Sequence, residues 1–262
     1  MRVWDIHPGY LSTRSLLGEH AEIHALYSII SKKKSGYSRH PETRRWTGHL
    51  EFLILRHDLI LKEMTLRGFK HHSPCPSVEN IEGKINNLPY IDLPETQFEI
   101  LRKKYNQKNQ RGRIPLPRTG SEFWSHHKYS VMSRGYQYYR DIQQSMKNRK
   151  DRSIGEEHDL IRMIQMHMEK QIPLKALNNV IEHLWGYFKN KANLQEKTHF
   201  FNLPDFIEKL NYLFKMAEKY QQNYLLHSTI FADFLTCDDS SGNRIKQGDG
   251  SLFDNLLLPL AR

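Results

Sequence analysis

The sequence predicts an all-α protein built as two helical domains. Apolar residues recur at three- and four-residue spacing over long windows, no stretch alternates apolar and polar residues as a half-buried strand would, and no Asn-Gly hairpin signal occurs. Ser12 or Thr13 caps a first helix running to about Ile30, with Leu16, Ile23, Tyr27 and Ile30 on one stripe and His20 on the same face. Residues 31–48, broken by Gly36 and Pro41, read as a loop. A second helix over about 49–67 turns Leu53, His57, Ile60, Leu61 and Met64 inward and stops at Gly68, a residue suited to the left-handed conformation after a helix. Turn residues fill 73–89. A third helix over about 95–107 packs Phe98, Leu101 and Tyr105 and presents a strongly basic opposite face.

The stretch RGRIPLPRTG, residues 111–120, has no helical pattern and reads as a basic Pro/Gly-containing linker. It divides a first domain, 1–117, from a second, 121–235. Ser121 caps a helix containing FWSHHKYSVMSRGYQYYRDIQ, and Pro173 and Pro204 suit first-turn positions of later helices. Residues 236–262 read as a polar tail with an apolar C-terminal tip.

Among the 262 residues, Lys and Arg outnumber Asp and Glu by 39 to 29, a formal charge of +10, so the surface should attract polyanions, nucleic acid first. The charge is clustered. Lys32, Lys33, Lys34, Arg39, Arg44 and Arg45 interleave with Tyr37, His40, Trp46 and His49, and Arg102, Lys103, Lys104, Lys108, Arg111, Arg113 and Arg118 follow without an acid between them. Cations mixed with flat rings suit a phosphate backbone with displaced bases. In the second domain His127, Lys128, Tyr129, Arg134, Trp185, Tyr187 and Lys189 offer the same chemistry, or serve only as helix-packing residues. Two cysteines imply no disulfide framework, and no apolar run approaches the roughly 20 residues of a membrane span, so a cytoplasmic protein is expected, on the nucleoid if the source is bacterial. No Walker loop, dinucleotide fingerprint or HExxH is present. His71, His72 and Cys75 suggest zinc, but no second paired cluster follows, so no metal and no cofactor are expected. The run DGSLF with Gln247 upstream resembles short motifs that dock repair proteins on a sliding clamp, or else packs back on the protein.

Met1 is followed by Arg2, and methionine removal generally requires a small second residue, so Met1 is expected to stay. An α-amine, with a reference pKa of about 7.7–8.0, keeps a neutral nucleophilic fraction that a lysine, at about 10.4, does not. Such an amine can attack the anomeric carbon of a damaged nucleotide, expel the base and leave an imine, on which a carboxylate supports β-elimination of the 3′ phosphate. Glu22 is the candidate carboxylate.

The segments MRVWDIHPGYLSTRSLLGEHAEIHAL, TGHLEFLILRHDLILKEMTLRGF and YIDLPETQFEILRKKYNQK resemble the phage-type endonuclease V, the pyrimidine-dimer DNA glycosylases, over about residues 1–117. The resemblance implies a DNA repair glycosylase with AP-lyase activity on damaged duplex DNA, with the nucleophilic amine on Met1 and the catalytic carboxylate on Glu22. It implies contacts to DNA from Arg2, and support around the site from His49. The family's two arginines around that glutamate fall on Ala21 and Ala25, so His20, His24 or Lys32, Lys33 and Lys34 would supply positive charge, or the lesion differs. The alternatives are a glycosylase for another modified base, or a non-catalytic nucleic-acid-binding protein on a repair fold. The segments HHKYSVMSRGYQYYR, VIEHLWGYFK and QEKTHFF resemble the YbgA-like helical domain of unknown function, which implies a fold and no reaction.

Overall fold

The computed structural model describes residues 1–73, 88–147, 150–168, 170 and 172–234. The described chain is all-α: no strand is present among these residues, and only two isolated bridges, Ser12 with Gly112 and Thr119 with Ser153, pair extended backbone. It divides into two compact units, meeting in sequence between Gly112 and Arg113.

The first unit opens with an extended segment and a single 3-10 turn, Pro8–Tyr10. Helix α1, Thr13–Ser31, follows, with the Ser12 hydroxyl accepting from the Ser15 amide at its start. Helix α2 is Pro41–Trp46, α3 Leu50–Leu66 and α4 Pro94–Lys108. Helix α1 packs along α3, and the core between the elements is closed by Tyr10, Leu11, Leu16, Ile23, Leu26, Leu53, Ile60, Leu61, Phe98 and Leu101, all essentially without solvent contact. Tyr10 meets Phe98 edge to face at 5.1 Å.

Three expectations change. The 31–48 loop contains α2, whose first turn is capped by the His40 ring accepting from the Glu42 amide. The core stripe of α1 is Leu16, Glu19, Ile23 and Leu26 rather than Leu16, Ile23, Tyr27 and Ile30, because a buried charged residue, Glu19, sits in it. The stretch 111–120 is packed chain rather than a free tether: Ile114 is fully buried, and the Arg113 guanidinium donates to the carbonyls of Leu226 and Ser228 at 2.6 and 3.2 Å.

Gly112 is fixed by close approach. A β-carbon there would stand 2.5 Å from the Tyr10 carbonyl oxygen and 2.7 Å from that of Gly9, both backbone atoms with no room to yield. Gly112→Ala should therefore cost about 1–3 kcal/mol in denaturant unfolding of the first unit. An unchanged midpoint would show that the Gly9–Tyr10 turn is free to move.

In the second unit α5, Gly120–Arg134, is the central helix, with α6, Tyr136–Lys147, α7, His158–Met168, and α8, Leu174–Trp185, packed on it. The cap of α5 is Thr119, whose hydroxyl accepts from the Glu122 amide, rather than Ser121. The single long helix expected there is interrupted at Gly135, where a β-carbon would strike the Tyr138 ring at 2.8 Å. Helices α9, Leu194–Asn202, α10, Phe206–Lys219, α11, Asn223–Leu226, and α12, Ile230–Asp233, complete it. Neither proline lies in the first turn: Pro173 occupies the cap position of α8, one residue before it, and Pro204 precedes the Asp205 cap of α10, two residues before it. No helix is long and apolar enough to cross a membrane among the described residues. Cys75 and the clamp-like run at 249–253 lie outside them.

Candidate active site at the N-terminus

Residues 2–6 form no helix, so their amides need partners from elsewhere, and several of those partners are buried side chains. Val3 donates to Glu42 Oε1 at 3.0 Å, Trp4 to Glu19 Oε1 at 3.1 Å and Asp5 to Gln97 Oε1 at 2.8 Å. The acids are themselves held. Arg56 grips Glu19 through two parallel bonds of 2.7 and 3.0 Å and gives a third to the Ile6 carbonyl at 2.9 Å, a fork geometry a lysine cannot reproduce. The Trp46 indole donates to Glu42 Oε2 at 3.1 Å. Burial pushes the carboxyls of Glu19 and Glu42 up, against the lowering pull of Arg56 on the first and of the Val3 amide and Arg45 on the second. Farther along, Arg67 at the end of α3 donates to the Leu11 carbonyl at 2.8 Å, and the Tyr105 hydroxyl accepts from the Ser12 amide at 2.6 Å. The result is a short extended segment fastened at successive positions, with its amine at the free end.

That amine lies 3.8 Å from Glu22 Oε1. The Met1 side chain is 9% exposed and that of Glu22 36%, so the terminus is anchored while the carboxylate remains open to a ligand. The exposed residues beside Glu22 are small: Gly18, Ala21 and Ala25 line the outer face of α1 next to it. An amine next to a half-open carboxylate, on a rigid support, is suited to imine chemistry with a carbonyl-equivalent carbon and to proton transfer at neighbouring atoms.

The basic residues singled out in the sequence divide into two groups. Lys32, Lys33, Lys34 and Arg39, just past α1, are exposed, as are Arg44 on α2 and Lys103 on α4, and these form cationic surface. Arg45 is a correction: its guanidinium is buried between Asp5 and Glu42, at 3.7 Å from the latter, and supports the N-terminal segment from within. Arg2 is paired with Asp92 at 2.6 Å and lies over the Trp4 ring at 4.4 Å. Arg102 is paired with Glu99, and Lys104 reaches inward to the Ser15 hydroxyl at 2.9 Å, burial and the nearby cations lowering its pKa. His49 sits at the start of α3 and stacks on Phe52 at 6.0 Å.

His20 and His24 do not face Glu22. Each is two residues from it, about 200° around the helix, which carries them to the opposite side of α1. There they meet His57 of α3 and His71 beyond its end: the Nε2 of His24 lies 3.1 Å from that of His20, 3.1 Å from that of His57 and 3.5 Å from that of His71. The four ligand-capable nitrogens lie within 4.8 Å of one another. Burial, then the neighbouring rings, depress His20 and His24 to about 4, so both are neutral near pH 7. These four histidines could hold a metal ion, a grouping that paired Cys/His spacing does not reveal; the i, i+4 pair on α1 is its one local signal.

In the second unit several ring and cation candidates turn inward. His127 and Tyr129 are buried, Tyr129 donating to the Tyr187 hydroxyl at 3.2 Å. Trp185 stacks on Phe200 at 4.1 Å, and Arg134 pairs with Asp233 at 3.3 Å, so both serve packing. Lys128 lies 4.7 Å over the rings of Tyr129 and Tyr224, and burial lowers its pKa. Lys189 remains exposed.

Residues 1–77 match the model of a family described as pyrimidine dimer DNA glycosylase, and residues 128–234 match that of a family described as a protein of unknown function, DUF1722. The first match ends before α4. Searches of curated proteins and of solved structures found no match.

Proposed function

We propose that the first unit, whose N-terminal 77 residues match the pyrimidine dimer DNA glycosylase family, is a DNA repair glycosylase and AP lyase acting on damaged duplex DNA through the Met1 amine. The observation that carries this reading is the anchored amine 3.8 Å from a half-open Glu22 carboxylate. The neutral amine attacks C1′ of the damaged nucleotide, and the bond from C1′ to the base breaks, its electron pair leaving with the base, which takes up a proton. The Glu22 carboxylate takes a proton from the attacking nitrogen and delivers it to the ring oxygen as the sugar opens, giving an iminium on Met1. The Glu22 carboxylate, regenerated, takes a proton from C2′; the electrons form the C2′–C3′ double bond and expel the 3′ phosphate. Water then hydrolyses the imine and frees the amine. Lys32, Lys33, Lys34, Arg39, Arg44 and Lys103 are placed to hold phosphates, and the nucleotide is displaced from the stack for attack.

One observation favours a second reading of the substrate. Within one turn of Glu22 the exposed face of α1 offers Gly18, Ala21 and Ala25 and no lysine or arginine, so a modified base other than a cyclobutane dimer, or one in a different backbone geometry, is an alternative occupant.

The test is borohydride trapping on a duplex with one cyclobutane thymine dimer, beside abasic and modified-base duplexes, using the chain starting at Met1 and a form extended by two residues at its N-terminus. A trapped adduct on the dimer, mapping to Met1 and absent from the extended form, is expected. An adduct on the abasic site or a modified base alone moves the lesion assignment to the second reading. Adducts on none of them would reduce the unit to a binding protein.

A further inference from the structure

We propose that His20, His24, His57 and His71 form a structural zinc site that joins α1, α3 and the chain leaving α3. Four imidazoles converge through Nε2, three of those atoms surrounding that of His24 at 3.1, 3.1 and 3.5 Å. Neutral imidazole has one N–H and one lone pair, so His24 can satisfy at most one of three such neighbours by hydrogen bonding. A cation at the centre satisfies all four. Tetrahedral zinc with bonds of about 2.0–2.1 Å to imidazole nitrogen sets its ligands about 3.3–3.4 Å apart, between the shortest and longest of the observed spacings. All-imidazole donors suit zinc and its neighbours rather than calcium or magnesium.

The surroundings agree. His57 is fully buried, as a ligand on a core helix must be, and its Nδ1 makes no hydrogen bond but has an Asp58 carboxylate oxygen 3.7 Å away, on the side from which an acid fixes the tautomer of a bound histidine. With four protein ligands the site is closed, and it lies across α1 from Glu22, so its part is to fix the rotational setting of that helix rather than to react. Its success or failure does not depend on the glycosylase reading, since no readout below involves DNA.

The untagged full chain, stripped with a strong chelator, is titrated with Zn²⁺ against a chromogenic competitor, with Co²⁺ followed by visible absorption, and melted by circular dichroism with and without metal. One equivalent per chain, the intense visible bands of tetrahedral Co²⁺, and a first transition raised by on the order of 10 °C at about a hundredfold zinc excess over Kd are expected. His71→Ala, outside the helices, should lose that equivalent, and the exposed His72→Ala should keep it. Failure of the wild-type chain to outcompete the chromogenic chelator, a weak octahedral Co²⁺ spectrum, or full binding retained by His71→Ala would each overturn the proposal.

Discussion

On the reaction proposed above, Glu22→Gln is expected to slow strand cleavage at an abasic site by about 10²–10⁴-fold, the range of a positioned general acid or base. The substitution keeps the shape of the side chain and removes its charge. Because that side chain is 36% exposed, and its contact is with the Met1 amine, unfolding free energy should stay within about 0.5 kcal/mol of the wild type. Single-turnover cleavage and denaturant unfolding measured on one preparation separate the two quantities. Equal cleavage rates for variant and wild type would remove Glu22 from the mechanism, even with an adduct on Met1.

Arg56→Met should destabilise the first unit by about 3–5 kcal/mol, because it leaves the Glu19 carboxylate buried without its partner. Its first consequence is protonation of Glu19, which burial already favours. The double variant Glu19→Leu with Arg56→Met should recover most of that loss, apolar groups of similar volume replacing the pair. It does not restore the acceptor of the Trp4 amide or the donor to Ile6. Stability returns while amine chemistry at Met1 stays impaired. Denaturant midpoints and borohydride trapping read the two effects apart; a double variant that is stable and fully active would show that the pair holds the fold and not the terminus.

Much of the first unit is legible from local signals. Helix α1 begins where Ser12 caps it, α3 ends just before Gly68, which takes φ +78°, and the buried residues of α3 include Leu53, His57, Ile60, Leu61 and Met64 as its periodicity indicates, with Phe52, Ile54, Arg56 and Glu63 beside them. Helix α2 escapes because its cap is a histidine ring and its six residues include four polar ones, too few for a period to register. The stripe of α1 is misread for a different reason. Glu19 belongs in the core only because Arg56, 37 residues away, meets it there. The same non-local pairing separates Arg45, buried against Asp5, from its exposed neighbour Arg44. At the candidate site, the positions of Met1 and Glu22 are read by resemblance, whereas the side chains that grip residues 3–5, Glu42, Glu19 and Gln97, are not legible. The histidine cluster is half legible: His20 and His24 share a helix face, but His57 reads as one more inward residue and His71 as a neighbour of His72 and Cys75.

The fastening of the N-terminal segment also sets an order in time. The side chains that hold residues 2–12 include Asp92, Gln97 and Tyr105, which lie 90, 92 and 93 residues beyond the groups they hold. At translation rates of about 5–20 residues per second, the terminus stays loose for on the order of 5–20 s before its last partners emerge. The support of the candidate site is therefore put together from residues made far apart in time, and it is complete only once α4 has been synthesised.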